Sequence, residues 1–410
     1  MAEIKEIQGG VTAPKGFKAA AAKAEIKYKN RDDMAMIYSD APCRAAGAFT
    51  RNKVKAACVL WDKNIVDSGK RVHSVVVNAG IANACTGEEG FEACRKTSEA
   101  AERLLNTPEG STLVASTGVI GMQLPVDKLI KGVELLSANL SDSIESGTRA
   151  SKAIMTTDTI NKEAAVSFTV GGKEVRIGGM CKGSGMIHPD MCTLLSFFTT
   201  DLNISEELLK KAVREVVDAT FNMITVDGDT STNDTFLVLA NGLAGNEPIT
   251  GEGGDYNAFR EALFKICRKL ARIMAGDGEG ATKLFEVKVI NAKSLEDARL
   301  LARSVVGSNL SKAAIFGCDA NFGRFLCAMG YSKAEFDQKD VVLSFTDGVK
   351  FIKVFDHGNP VPFDEEAAAE LMKGPEVGIL IDMNEGSAEA EAWGCDLTYD
   401  YVKINADYRS

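Results

Sequence analysis

An α/β fold is predicted by three features: strand-like and helix-like segments alternate, one strand with apolar residues on both faces stands at the centre, and the composition supplies a large interior. Val72–Val77 reads as a strand and is followed by a helical pattern, Glu88–Leu105. Thr112–Ala115 reads as another strand, followed by Val126, Leu129, Ile130, Val133 and Leu136 at helical spacing. The central strand is TLLSFFTT, beginning at Thr193, apolar on both alternating faces and entered through the Gly- and Pro-rich run Gly183 to Pro189. At 410 residues, 45% hydrophobic and 25% charged, the chain has material for two or three domains' worth of core.

The elements follow in order. Residues 9–30 combine turn residues with a short basic stretch. MAMIYSD (34–40) and AAGAFT (45–50) read as two short strands, the second closed by Arg51 and Asn52 at a turn. Phe91, Cys94, Ala101, Leu104 and Leu105 give the 88–105 helix its apolar face, and Pro108 stops it. VSFTV and KEVRIGG (166–179) form a hairpin closed at Gly171-Gly172. Ser205 caps a helix that carries Leu209, Val213, Val216 and Val217, with Glu206 and Glu207 in its first turn. Two strands flank an acid- and hydroxyl-rich loop within 223–242, and an amphipathic helix covers Tyr256 to Ala275. A second α/β unit follows: strand FEVKVI, a helix over Ser294 to Val306, strands near Val341–Phe345 and Val349–Phe355, and VGILIDM (377–383). The composition shift at Gly276 to Ala281 marks the boundary, and the tail from Tyr399 alternates.

Composition removes several function classes. A net charge of −10 without any basic run argues against nucleic-acid binding. No stretch approaches the about 18 uninterrupted apolar residues of a membrane span, and the N-terminus lacks a signal-type apolar region, so a cytoplasmic location is expected. Ten scattered cysteines without a CxxC pair read as buried reduced thiols. His73, His188 and His357 are the only histidines, too few for a zinc site or a histidine-based triad.

Several polar stretches carry two readings each. Thr117-Gly118 just past a strand end is either a plain turn or a place where a hydroxyl and a backbone N–H face an anion. AIMTTDT (153–159) is a polar turn or a ligand-contacting loop. The loop after Val226 resembles a calcium run, but Thr232 stands where the required glycine should be. GDGEGATKL (276–284) fails the phosphate-loop spacing, which leaves Glu279 in a glycine-rich loop, able to meet a cation.

Together these stretches resemble the ornithine acetyltransferases of arginine biosynthesis, also called glutamate N-acetyltransferases, over essentially the whole chain. The resemblance rests on GVTAPKGF (10–17), AAGAFTRN (45–52), NAGIANACTG (78–87), STGVIG (116–121), AIMTTDT (153–159), KGSGMIHPDMCTLL (182–195), TVDGDTSTNDT (225–235), DGEGATK (277–283) and YVKINADYRS (401–410). It implies a precursor that cuts itself between Cys192 and Thr193, and a layered αββα sandwich like that of N-terminal nucleophile enzymes, with a second, smaller α/β domain. The mature pieces would be an α chain, 1–192, and a β chain, 193–410. Within the latter, 193–280 would complete the catalytic core, about 285–398 would form the second domain, and 399–410 would be a tail returning to the active site.

The chemistry so implied suits the residues. Thr193, freed at its α-amine, needs no histidine: with a reference pKa near ~7.7–8.0 the amine serves as base for its own hydroxyl. Thr117 and Gly118 match the family's oxyanion hole. Thr156, Lys182, Glu279, Asn405 and Ser410 match its substrate contacts, with N2-acetylornithine and glutamate as substrates. No metal and no cofactor are implied, acetyl-CoA entering only as co-substrate where glutamate is acetylated afresh. The implied assembly is α2β2. Three departures stand out: Cys192 for the usual Ala, Asp190 for the common Asn, and Ser410 for the usual Thr. DANFGR (319–324) stands for DPNWGR and reads as structural.

Two other readings fit the same residues. An N-terminal nucleophile amidase or aminopeptidase would pass the acyl group to water. An uncleaved amino-acid-binding relative would keep Thr193 in a peptide bond.

Overall fold

A computed structural model of the chain describes residues 3–188 and 194–407. The chain runs β1 (Lys5–Ile7), β2 (Phe17–Ala22), β3 (Met34–Phe49), α1 (Ala57–Asp67), β4 (Val72–Ile81), α2 (Gly87–Leu105), β5 (Thr112–Val119), α3 (Val126–Ala138), α4 (Ile144–Ala153), β6 (Lys162–Val170), β7 (Lys173–Lys182), β8 (Leu195–Thr200) and α5 (Glu206–Ala219). It continues through β9 (Ile224–Thr225), β10 (Thr235–Ala240), α6 (Gly254–Gly276), β11 (Leu284–Ala292), α7 (Leu295–Gly307), α8 (Asn309–Gly317), α9 (Phe322–Gly330), β12 (Val342–Thr346), β13 (Phe351–Asp356), β14 (Asn359–Pro360), α10 (Glu365–Leu371), β15 (Glu376–Asp382), β16 (Ala388–Cys395) and α11 (Tyr399–Ala406).

Two compact units result, one spanning Met1–Gly183, Asp190–Asp218 and Thr230–Leu270, the other Ser184–Pro189, Ala219–Asp229 and Ala271–Ser410. In the first, strands pair in the order β1-β6-β7-β8-β10-β3-β4-β5, with β2 added on β3. Strand β3 makes this arrangement fold back on itself. Its first part pairs with β4 and its last part, Arg44–Phe49, with β10, and the register shifts between Tyr38 and Cys43. Two sheets therefore stack. Phe17, Ile37, Val75 and Leu113 meet Met180, Phe197 and Leu237 between them. The opposite face of β2–β5 buries Met34, Met36 and Val76 against helices α1 to α3. The opposite face of β8 and β10 presents Phe198 and Phe236, ring centroids 4.9 Å apart, with Leu270 of α6 beside Gly179. This unit is an αββα sandwich.

The second unit is a smaller α/β unit around a seven-stranded sheet, β14-β13-β12-β15-β11-β16-β9. Phe325 of α9 sits edge-on to Phe285 of β11 (6.2 Å) and Phe345 of β12 (5.5 Å). Ser294 caps α7 by accepting the Asp297 N–H. Among the described residues no helix is long and apolar enough to cross a membrane.

Several local expectations change. The two short strands over 34–50 are one strand of 16 residues, because the interruption at Pro42 falls where β3 bends. Helix α2 ends at Asn106, a left-handed C-cap, before Pro108 is reached. The strands flanking the 226–234 loop do not pair with each other: β9 joins β16 and β10 joins β8 and β3. The tail from Tyr399 is helical, since Thr398 accepts the Tyr401 N–H as an N-cap. Burial raises the thiol pKa of Cys43, Cys58 and Cys181 to about 12, which keeps them protonated and unreactive.

Candidate active site

In the first unit, three of the expected residues come together around one buried ammonium. Lys182 closes β7, antiparallel to β8 with Lys182 opposite Leu195. Its Nζ donates to Thr156 Oγ1 at 2.7 Å and to Thr117 Oγ1 at 3.4 Å. Asp158, from AIMTTDT, organises this group. Its fully buried carboxylate accepts from Lys162 Nζ (2.7 Å), the Gly183 N–H (2.7 Å) and the Thr156 N–H (3.1 Å), with Lys182 Nζ 3.9 Å away. Burial alone would raise its pKa, but Lys182, Lys162 and the hydrogen bonds together lower it to about 2. The signal was present as an aspartate among the threonines of AIMTTDT. Its partners, however, lie up to 25 residues away along the chain, beyond what local spacing reveals.

The energetics of Asp158 are testable. Lys162→Met leaves a buried carboxylate short of a cation, and we expect a loss of about 3–5 kcal/mol in urea unfolding. Because the folded-state pKa is lowered, the stabilisation is present above the unfolded value near ~3.9 and is lost as pH falls from there through about 2. Wild-type stability should therefore drop across that window. Asp158→Asn, measured the same way, should flatten the drop by about 2–3 kcal/mol.

Thr117 and Gly118 end β5, which runs parallel to β4 with Gly118 opposite Gly80. Gly118 has φ +129°, and a Cβ there would overlap the Gly80 carbonyl. Only glycine fits at this place in the β4–β5 ladder. Asn233 supports the same place. Its Nδ2 donates to the Ser116 carbonyl (2.8 Å) and to the Ala82 carbonyl, and Thr232 Oγ1 donates to its Oδ1 (2.7 Å).

In the second unit, Glu279 and Asn405 come together. Glu279 is 6% exposed, its N–H donates to the Ser184 carbonyl at 2.9 Å, and Ser184 Oγ donates to the Asp277 carbonyl at 2.7 Å. Helix α11 rests on the same glycine-rich loop: Thr398 Oγ1 donates to the Gly280 carbonyl at 2.7 Å, and a Cβ at Gly280 would come within 2.8 Å of the Tyr401 nitrogen. From this helix Asn405 Nδ2 donates to Glu279 Oε2 at 2.8 Å. Burial, then the neighbouring Asp227, raises the Tyr401 phenol, so it stays neutral. Cys192, Thr193 and Ser410 lie outside the described residues.

The described groups offer a buried ammonium with threonine hydroxyls in one unit and a buried carboxylate with an amide in the other.

Comparison with known proteins agrees. The ArgJ family model matches residues 18–410. The chain is 52% identical over 407 residues, 98% of its length and 99% of the relative's, to the arginine biosynthesis bifunctional protein ArgJ of Symbiobacterium thermophilum. A crystal structure of the arginine biosynthesis bifunctional protein ArgJ of Bacillus halodurans is 45% identical, covering 51% of this chain and 97% of that one at a TM-score of 0.48. One of an ornithine acetyltransferase complexed with ornithine, from Mycobacterium tuberculosis, is 39% identical, covering 46% of this chain and 99% of that one at a TM-score of 0.42. With a match over nearly all its length and half its residues identical to a full-length relative, the chain belongs to the ArgJ family.

Proposed function

We propose that this chain is a self-cleaving N-terminal threonine acyltransferase of arginine biosynthesis, which moves the acetyl group of N2-acetylornithine to glutamate. The observation that carries the reading is the Lys182 ammonium, buried and donating to both Thr156 and Thr117, in a chain whose close relatives are arginine biosynthesis bifunctional proteins. Thr193 Oγ attacks the carbonyl carbon of Cys192, the peptide nitrogen leaves as an amine, and water hydrolyses the resulting ester. The products are the pieces 1–192 and 193–410.

Transfer then proceeds in two halves. The free α-amine takes the Thr193 hydroxyl proton as Oγ attacks the acetyl carbonyl. Thr117 and Gly118 hold the developing oxyanion, and ornithine leaves carrying the proton. The amine of glutamate attacks acetyl-Thr193 and releases N-acetylglutamate. Lys182 and Glu279 bind the charged ends of the amino acids, with Thr156, Asn405 and Ser410 as further contacts. The reaction uses no cofactor, acetyl-CoA entering only as co-substrate where glutamate is acetylated afresh. The cut pieces assemble as α2β2 in the cytoplasm.

The test is one preparation of wild-type protein. Intact mass is expected to show two pieces joining at 192/193, and incubation with N2-acetylornithine and glutamate to yield ornithine and N-acetylglutamate without acetyl-CoA. Acetate in place of N-acetylglutamate would make it an amidase, and an uncut, inactive chain would make it a binding protein.

A further inference from the structure

The loop 230–234 grips both ends of the chemistry just described, and its residues have no part in that mechanism. Its own position is fixed from outside. Thr50 Oγ1 donates to the Ser231 carbonyl at 2.8 Å, the Thr50 N–H to the Asp234 carbonyl at 3.0 Å, and Asn52 Nδ2 to the Thr230 carbonyl at 2.9 Å. From this anchored loop Asn233 reaches β5. Because Thr232 occupies its Oδ1, the Asn233 amide nitrogen must point at the Ser116 and Ala82 carbonyls. The Ser116 carbonyl belongs to the peptide whose nitrogen is that of Thr117. Holding it sets the plane of that peptide, and with it the start of the expected oxyanion pair.

The next residue, Asp234, reaches the other strand. Its fully buried carboxylate accepts the Leu194 N–H, and the Thr235 N–H donates to the Leu194 carbonyl at 2.8 Å. Leu194 directly follows Thr193, so the residue after the nucleophile is tied to this loop at its N–H and to the first residue of β10 at its carbonyl. Among the described residues Asp234 Oδ2 has no hydrogen-bond partner. Burial pushes Asp234 well above the usual carboxylate range, against the pull of Ser231 and Lys182.

We propose that Asn233 and Asp234 are a positioning pair that fixes the oxyanion strand β5 and the nucleophile strand β8 at a set separation, so that Thr193 and the Thr117-Gly118 end meet one acyl carbon. This inference rests on the acyltransfer reading above. Neither side chain touches substrate in it; both act through the backbone they hold. A displacement of about 1 Å between reacting groups costs on the order of 10²-fold in rate, while binding of the amino-acid ends, left to other residues, is spared.

The experiment compares steady-state acetyl transfer from N2-acetylornithine to glutamate in wild type, Asn233→Asp, Asp234→Asn and Asp234→Leu, each taken as the cleaved, folded protein. Asn233→Asp keeps the shape but turns the donor into an acceptor facing two carbonyls, and kcat is expected to fall ~30–100-fold with both KM values within about twofold. Asp234→Asn keeps an acceptor for the Leu194 N–H and should stay within about threefold of wild type, whereas Asp234→Leu should fall with Asn233→Asp. If Asn233→Asp does not fold, the two Asp234 variants decide alone. Equal activity of Asn and Leu at 234, kcat unchanged in Asn233→Asp, or losses shared equally with KM would overturn the positioning role. Wild type is assayed first: without transfer by wild type the acyltransfer reading fails, and with transfer by wild type but no split among the variants only this inference does.

Discussion

Thr193→Ala is expected to leave one uncut chain of 43.8 kDa and to lower acetyl transfer by at least ~10⁴-fold, the scale of losing a covalent nucleophile. Both effects follow from one atom. In the proposed mechanism the hydroxyl that opens the peptide bond is the hydroxyl that later carries the acetyl group, and alanine offers neither. Thr193→Ser keeps the oxygen and should cut and transfer, more slowly. Cys192→Ala tests the other side of the bond: cleavage should persist, because the thiol at 192 is not the attacking group. Mass spectrometry of the purified proteins, followed by product analysis, reads all three. A Thr193→Ala chain that still separates into 1–192 and 193–410, or a Cys192→Ala chain that stays whole, would move the nucleophile away from Thr193.

Gly118→Ala should be the most damaging substitution outside the cleavage segment. A methyl group there has nowhere to go: it would overlap the Gly80 carbonyl of the neighbouring parallel strand, at a φ of +129° that alanine disfavours. We expect at least ~3 kcal/mol of destabilisation in urea titration. In the fraction that folds, single-turnover acetylation should slow by ~10²–10³-fold, as the amide moves off the developing oxyanion. Gly121→Ala is the control, because that glycine also has positive φ but nothing lies within 4 Å of its Cβ position. Its cost should be near ~1 kcal/mol with transfer unchanged. Equal effects at 118 and 121 would mean that backbone strain, not the strand contact, governs the site.

What could be read from the sequence divides along a physical line. Features set by neighbours within a few residues were legible: the hairpin turn at Gly171-Gly172, both with positive φ, the period of the amphipathic helix α6, and the apolar run that became β8, every residue of which is buried. Features set by long-range pairing were not. Pro42 looks like a break between two strands, and only the presence of both β4 and β10 as partners makes β3 continuous. The tail alternates in sequence, yet the Thr398 cap and the contact with Gly280 make it a helix. The same line runs through the candidate site. All six of Thr117, Gly118, Lys182, Glu279, Asp158 and Asn233 stand in family motifs, but what Asp158 and Asn233 do shows only through partners far along the chain.

The pairing of β8 and β10 has a consequence for the mature protein. These two strands lie side by side, and they are inserted between β7 on one flank and β3 on the other. With the proposed cut before Thr193, β7 and β3 would belong to one polypeptide and β8 and β10 to the other, and the central sheet would be woven from both. Separation of the pieces would have to unzip two full ladders in the middle of a sandwich and expose their apolar faces. The two polypeptides should thus behave as a single folding unit: dilution will not part them, neither should be soluble when expressed by itself, and they should melt in one transition.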